Sequence, residues 1–253
     1  MDRPERIVSL SPLATRFLVA LGAADRLVAV DAESHRREDV GERPVVELGD
    51  VVGLDADLLL LPTLPDDFVT LDALEATGLR VVELAPHDLE DVFALCRGLG
   101  RELVGAERAE AFERRIARPI ALVAGRSPSV NRPRVLAVTR VQPLELAGGH
   151  SFETDLIEAA GGTSVTHGSE DHRRAVELDA VRRLAPDVLL VTSDAPLGAA
   201  DQDRAIRRLG DIAPVVFFDY AGEGFWLDAP ERDVERLRSL LHPAAPSESA
   251  EAD

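Results

Sequence analysis

An internal repeat constrains this chain more than any other feature. Residues 46–61 align without a gap on residues 176–191, an offset of 130. Val46-Glu47-Leu48 matches Val176-Glu177-Leu178. Val51, Leu54, Asp57, Leu59 and Leu60 then match Val181, Leu184, Asp187, Leu189 and Leu190. Eight of the sixteen positions are identical, and each copy carries an Asp just before an apolar run. The flanks agree: Arg6–Leu10 and Arg134–Val138 read as opening strands, and Val81–Leu84 corresponds to Val215–Phe218. Any two βα units look somewhat alike, but a shared register with the same element order on both sides indicates duplication.

The first copy shows what the repeated unit is. Arg6–Leu10 is a short apolar strand. Ser11 then stands as helix N-cap with Pro12 at the first helical position. Leu13, Phe17, Ala20 and Leu21 follow at helical spacing up to Gly22. Leu27–Val30 and Leu58–Leu61 are strands, and the second is apolar throughout, as a parallel strand covered on both faces is. Leu71–Thr77 reads as a helix stopped by Gly78, and Leu89–Leu103 as one continuous helix with Cys96 inside. Alternating strands and helices indicate an α/β fold with mainly parallel sheets. Between the copies, Ala106, Ala109, Phe112, Ile116, Ile120 and Val123 form one apolar stripe, and Pro119 predicts a kink or break there. The expected organisation is a first lobe over 1–103, a connecting helix and loop over 104–132, a second lobe over 133–242, and a disordered acidic tail over 243–253, with a ligand cleft between the lobes.

Charge and composition exclude several functions. Asp plus Glu number 46 against 28 basic residues, all of them Arg, a net charge of −18. Such a surface repels a phosphate backbone, so nucleic acid is not a partner. The single Cys rules out an internal disulfide, a Cys₄ zinc site or an iron–sulfur cluster. No stretch approaches the about 18 continuous apolar residues of a membrane span. No Gly-rich nucleotide loop, Walker loop or nucleophile elbow is present, so a catalytic role is not expected. Met1 to Arg6 runs straight into a strand without the pattern of an export signal. The chain is therefore expected to be cytoplasmic as it stands, or periplasmic or extracellular as a trimmed mature form.

Several segments together resemble a known family. They are Arg6-Ile7-Val8-Ser9-Leu10-Ser11-Pro12 with Thr15, and Leu21-Gly22 with Leu27–Val30. Leu54-Asp55-Ala56-Asp57-Leu58-Leu59-Leu60 and Leu184-Ala185-Pro186-Asp187-Val188-Leu189-Leu190 are two forms of one strand entry. Gly148-Gly149-His150-Ser151-Phe152, Asp155-Leu156-Ile157 and Ala160-Gly161-Gly162 open the second lobe's helix. In order and spacing these resemble the helical-backbone substrate-binding proteins of ABC importers for cobalamin, iron–siderophores and heme, over roughly residues 6–241. Two departures stand out: Arg16 follows the Thr where the family often has Glu, and the family's export signal is missing.

The resemblance implies a ligand held between the lobes. Independently, open parallel sheets bind ligands beyond the carboxyl ends of their strands. In the first lobe those ends offer Ser11, Pro12, His35, Arg36, Pro62, Asp66 and His87. In the second they offer Arg140, His150, Phe152, Asp194, Tyr220, Phe225 and Trp226. Aromatic residues are only 4% of the chain, so the Tyr220–Trp226 cluster reads as a flat apolar wall against a macrocycle or chelate. In the family this region contributes aromatic contacts to cobalamin, but a cobalamin pocket rich in Trp and Tyr is not suggested by so few rings. Arg140 and Arg36 could meet anionic ligand oxygens. His35, His87 and His150 could ligate a metal, although the bland reading of each is a solvated loop histidine. Cys96 sits in an apolar stripe and reads as core.

The expected function is non-enzymatic holding of a corrinoid or other metal-chelate ligand for an ABC importer, with no resident cofactor. By the resemblance, Asp66, Asp67, Asp228 and Glu231 would dock on the importer's permease. The alternatives are a cytoplasmic corrinoid- or metal-handling protein, or direct binding of Zn²⁺ or Mn²⁺.

Overall fold

The computed structural model describes residues 3–65, 72–74, 76–127 and 131–243. The chain divides into two units, Met1–Pro86 with Glu90–Arg115, and His87–Leu89 with Ile116–Asp253.

The first unit is built on a four-stranded sheet, ordered β2-β1-β3-β4. Its strands are β1 (Ile7–Ser9), β2 (Leu27–Val30), β3 (Leu58–Leu61) and β4 (Arg80–Glu83). All three pairings are parallel. Helix α1 (Pro12–Leu21) begins at Ser11, whose hydroxyl accepts from the Ala14 N–H at 3.2 Å, and stops at Gly22 with φ +79°. Only a residue without a side chain adopts that left-handed stop at little cost. β3 is four leucines, each no more than 4% exposed. Burying a leucine contributes about 1.5–3 kcal/mol, so this strand is a large part of what holds the unit together.

The run Leu89–Leu103 is not one regular helix. It forms α2 (Leu89–Leu95), a π-helical turn at Cys96–Gly100 and α3 (Arg101–Val104), ended by Gly105 at φ +86°. Cys96 is fully buried, and burial first, then the nearby Glu113 carboxylate, pushes its thiol up to about 12.

Helix α4 (Ala106–Ala124) runs unbroken through Pro119, so the chain does not break there. The division between the two units falls inside it. A proline within a helix costs about 3 kcal/mol. Ile116, Ile120 and Val123, each at most 7% exposed, lie on the buried stripe around it. Three such burials at about 1.5–3 kcal/mol each outweigh that cost.

The second unit carries a six-stranded sheet, ordered β10-β9-β5-β6-β8 with β7 also paired to β5. Its strands are β5 (Arg134–Arg140), β6 (Glu145–Ala147), β7 (Thr163–Ser164), β8 (Arg173–Ala175), β9 (Val188–Ser193) and β10 (Val215–Asp219). β10, β9, β5 and β7 are mutually parallel. β6 and β8 are antiparallel additions that the repeat does not predict. The helices are α5 (Phe152–Ala159), α6 (Leu178–Leu184), α7 (Ala199–Leu209) and α8 (Pro230–Leu241). Leu136, Val138, Leu146, Val181, Leu189, Val191 and Leu209 form its core. In each unit the repeated Val, Val51 or Val181, is at most 2% exposed. No helix among the described residues is long and apolar enough to cross a membrane.

Candidate functional site

The carboxyl ends of β5, β9 and β10 open onto a cavity of about 410 Å³ within the second unit. β5 brings Thr139 and Arg140, the end of β9 brings Thr192, Ser193 and Asp194, and β10 leads into Tyr220. Glu153 from α5, Arg173 from β8 and Arg204 from α7 complete the polar lining. Of the expected residues, Arg140, Asp194 and Tyr220 therefore meet in one place.

The arginines face carboxylates at ion-pair distance. Arg140 lies 3.7 Å from Glu145, and Arg173 lies 3.9 Å from both Glu145 and Glu153. Glu145 is itself occupied by the Thr139 hydroxyl, which donates at 2.9 Å. None of these Arg contacts is close enough for a hydrogen bond. Both guanidiniums thus keep N–H donors to offer an oxygen-bearing ligand. Arg204 is turned to Asp201 at 2.8 Å. Three guanidiniums and three carboxylates (Glu153, Asp194, Asp201) leave the lining close to neutral overall.

Tyr220 is 6% exposed and donates its phenol proton to Glu153, which is 4% exposed. Burial, and then the Glu153 carboxylate, push the phenol far above its ordinary value. It is a neutral donor at physiological pH. Glu153 follows Ser151 and Phe152 in the first turn of α5. Ser151 caps that helix by accepting from Thr154 N at 3.2 Å. The turn before it has no room for side chains. A Cβ on Gly148 would lie 2.0 Å from Asp171 O, and one on Gly149 2.2 Å from Ser169 O. The glycines of the Gly148-Gly149-His150 segment are therefore required by close backbone approach.

The expected aromatic wall is not formed. Phe225 and Trp226 are each 1% exposed. The short 3₁₀ turn Gly222–Leu227 folds Phe225 inward, edge-on to Phe152 at 5.2 Å and to Tyr220 at 6.0 Å. Both Phe225 and Trp226 serve as packing, and Tyr220 alone of the three lines the cavity. Phe152, 3% exposed, belongs to the same packed group.

The histidines go to separate tasks. His35 Nδ1 lies 2.9 Å from Arg43 O in the first unit. In the second, His150 Nδ1 lies 3.2 Å from Asp88, and His87 stacks on His172 with ring centres 4.2 Å apart. Among the described residues no three His, Cys, Asp or Glu side chains are grouped to hold a metal ion.

In the first unit Ser11 is spent on capping α1, and Pro12 is its first residue. A fully buried hydroxyl chain lies behind them: Thr15 donates to Ser9 at 2.9 Å, and Ser34 reaches both Thr15 and Asp31. This chain fixes the turn that carries His35 and Arg36, both exposed. Pro62 is exposed at the end of β3. Asp66 and Asp67, with Phe68, lie outside the described residues. Asp228 is exposed and Glu231 half-buried in the first turn of α8.

Glu153, Arg173 and Arg204 were not singled out by the sequence. Arg173 lies on β8, a strand the sequence did not announce, which pairs with β6.

No family model matches the chain. Among curated proteins it is similar to the vitamin B12-binding proteins of Yersinia pestis (strain Pestoides F) and Yersinia pseudotuberculosis (serotype O:1b). Identity to each is 24% over 194 residues, spanning 74% of this chain and 69% of the relative. Among solved structures, a periplasmic heme binding protein from Pseudomonas aeruginosa has a TM-score of 0.67 at 23% identity, covering 96% of this chain and 94% of that one. The periplasmic vitamin B12 binding protein BtuF of Vibrio cholerae has a TM-score of 0.63 at 20% identity, covering 95% and 98%. An ABC-type Fe³⁺-hydroxamate transport protein from Saccharomonospora viridis has a TM-score of 0.65 at 21% identity, covering 94% and 93%. The chain has the fold of these periplasmic binding proteins, and the likeness to ABC-importer substrate-binding proteins read from its sequence is borne out by curated relatives named for binding vitamin B12.

Proposed function

We propose that the chain is a non-enzymatic substrate-binding protein that holds a corrinoid, heme or ferric-chelate ligand for an ABC importer. The observation that supports this most is the cavity at the carboxyl ends of β5, β9 and β10, where Arg140 and Arg173 keep open donors beside Tyr220. The names of the relatives point to the same ligand class. Such ligands carry their metal inside an organic chelate, so the protein needs to meet only the periphery. Guanidiniums suit the anionic or amide oxygens found there. A bare Zn²⁺ or Mn²⁺ ion would instead need several His and carboxylate side chains converging on one point. His35, His87 and His150 each go to a different partner. As a binding protein for an importer it would work outside the cytoplasmic membrane. It would meet the permease through acidic side chains such as Asp228 and Glu231. Optical titration of the protein with heme, cobalamin and ferric hydroxamates tests the reading, since each chromophore changes its spectrum on leaving water. A saturable change with at least one ligand is expected, and no change with any of them would exclude it.

A further inference from the structure

Most of the charge around the large cavity of the second unit is already engaged. Arg204 is turned to Asp201 at 2.8 Å. Glu153, 4% exposed, accepts from the Tyr220 phenol and faces Arg173 at 3.9 Å. Asp194 is different. Its charge is felt by the Tyr220 phenol, but among the described residues no hydrogen bond or ion pair engages its carboxylate. The turn that carries it is braced: Ser193 Oγ donates to Ala195 O at 2.7 Å, and Tyr220 N donates to Ser193 O at 3.0 Å. Gly222 leaves it room, since a Cβ there would lie 2.7 Å from Asp194 Oδ1. Asp194 and Arg173 also line a second space of about 470 Å³, with Ala221 and Gly222. The pair therefore stands where the two spaces meet, an open acceptor and an open donor.

Given the chelate-binding function, on which this rests, we propose that Asp194 is a specificity-determining residue: it favours a chelate whose periphery carries primary amides over one whose periphery carries carboxylates. A primary amide has a carbonyl that accepts and an NH₂ that donates. Its carbonyl takes a guanidinium donor of Arg173 or Arg140 while its NH₂ donates to Asp194, so both open groups are satisfied. A carboxylate has acceptors only. It satisfies the arginines, leaves Asp194 without a donor and sets two negative charges side by side. Discrimination then comes from the group that the wrong ligand leaves unpaired as well as from the bonds that the right one makes. Arg140 and Arg173 alone would select the opposite way, because guanidinium and carboxylate match in charge and geometry. The sign of the selection is therefore set by Asp194.

Two pairs of probes differ at the periphery alone: heme against heme diamide, and a fully amidated corrinoid against the same corrinoid with those amides hydrolysed to carboxylates. Affinities are read by optical titration of the full chain at about pH 7.5, where carboxylates are ionised. A chain of charge −18 disfavours any anion, so the change in preference on substitution is what decides. For whichever pair binds, the amide form should be favoured by about tenfold or more, the size of one charged hydrogen bond. Asp194→Asn removes the charge and adds a donor. The carboxylate form should then gain affinity, and the ratio should fall by about fivefold or more. A gain is not what misfolding produces. Asp203→Asn, at an exposed acid of α7 outside the lining, changes the net charge equally and should leave the ratio within about twofold. An unchanged ratio in Asp194→Asn overturns the inference, as does an equal shift in Asp203→Asn or tighter wild-type binding of the carboxylate form. In each of these cases chelate binding itself still stands. Failure of every probe to bind removes the function and the inference together.

Discussion

Arg134 repeats the contacts of Arg6 bond for bond. The Arg6 N–H donates to Asp57 at 2.9 Å, its Nε to Asp55 O at 2.5 Å and its Nη2 to Leu54 O at 3.1 Å. The Arg134 N–H donates to Asp187 at 2.8 Å, its Nε to Ala185 O at 3.2 Å and its Nη2 to Leu184 O at 2.9 Å. Asp57 N and Asp187 N return a bond to the carbonyls of Arg6 and Arg134 at 2.9 and 2.8 Å. The repeated aspartate thus ties the start of the opening strand to the start of the next, once in each unit. Asp57→Ala and Asp187→Ala should each lower stability by about 1 kcal/mol, as loss of a hydrogen-bond acceptor does. Shifts in the urea midpoint check this, and an unchanged midpoint in both would deny the aspartates that role.

The same motif makes a second, opposite prediction. Asp55 and Ala185 occupy equivalent positions with φ of +48° and +46°. Asp tolerates the left-handed region through its short polar side chain, whereas Ala has no such relief. Ala185→Gly should raise stability by about 0.5 kcal/mol, the relief of strain exceeding the added freedom of the unfolded chain. Asp55→Gly should not. Thermal or urea unfolding of the pair decides it.

Gly148 and Gly149 should tolerate nothing larger. A methyl at either position would sit 2.0–2.2 Å from a carbonyl oxygen of the loop before β8. Gly148→Ala and Gly149→Ala should each cost more than about 2 kcal/mol, at the upper range of single substitutions. His150 and Asp88 should also separate, which would appear as a moved His150 resonance.

Tyr220 is the only tyrosine in the chain, so ultraviolet absorbance at alkaline pH reports it alone. Burial and the Glu153 carboxylate hold its phenol protonated well above the ordinary value of 10.0. The native protein should show no tyrosinate until it unfolds, and Glu153→Gln should bring ionisation to lower pH. The sign for stability follows. A raised folded value favours the native state below the unfolded value and is lost as pH rises beyond it. Cys96 acts the same way between 9.0 and about 12. A thiol reagent should leave native Cys96 unmodified at neutral pH and label it in urea. Fast labelling of the native protein would show that the thiol is not buried.

How much of this was legible in the sequence depended on whether a residue's role is local. Leu27–Val30 and Leu58–Leu61 were readable to the residue, because apolar runs between turn signals are a local pattern. The cap at Ser11 and the stop at Gly22 were readable for the same reason. β6 and β8 were not. Each has three residues, and β8 is Arg-Arg-Ala with no buried face. With β8 unseen, Arg173 stayed hidden, although it lines the cavity. Phe225 and Trp226 failed in the other direction. Their clustering was visible, but whether they face a ligand or the core is set by the turn at Gly222, which only the folded chain shows. Pro119 was read by its local cost, and the neighbouring burials keep the helix continuous through it.

The most direct measurement of the account is an equilibrium titration of the intact protein with heme, cobalamin and ferric hydroxamates, followed in the visible spectrum and repeated for Arg140→Ala and Arg173→Ala. Saturable binding of at least one chelate is expected. Each arginine variant should lose about tenfold or more in affinity, the size expected when a charged hydrogen-bond donor to a ligand is removed. Failure of every chelate to bind at micromolar concentrations would contradict the function, and undiminished affinity in both variants would contradict the site.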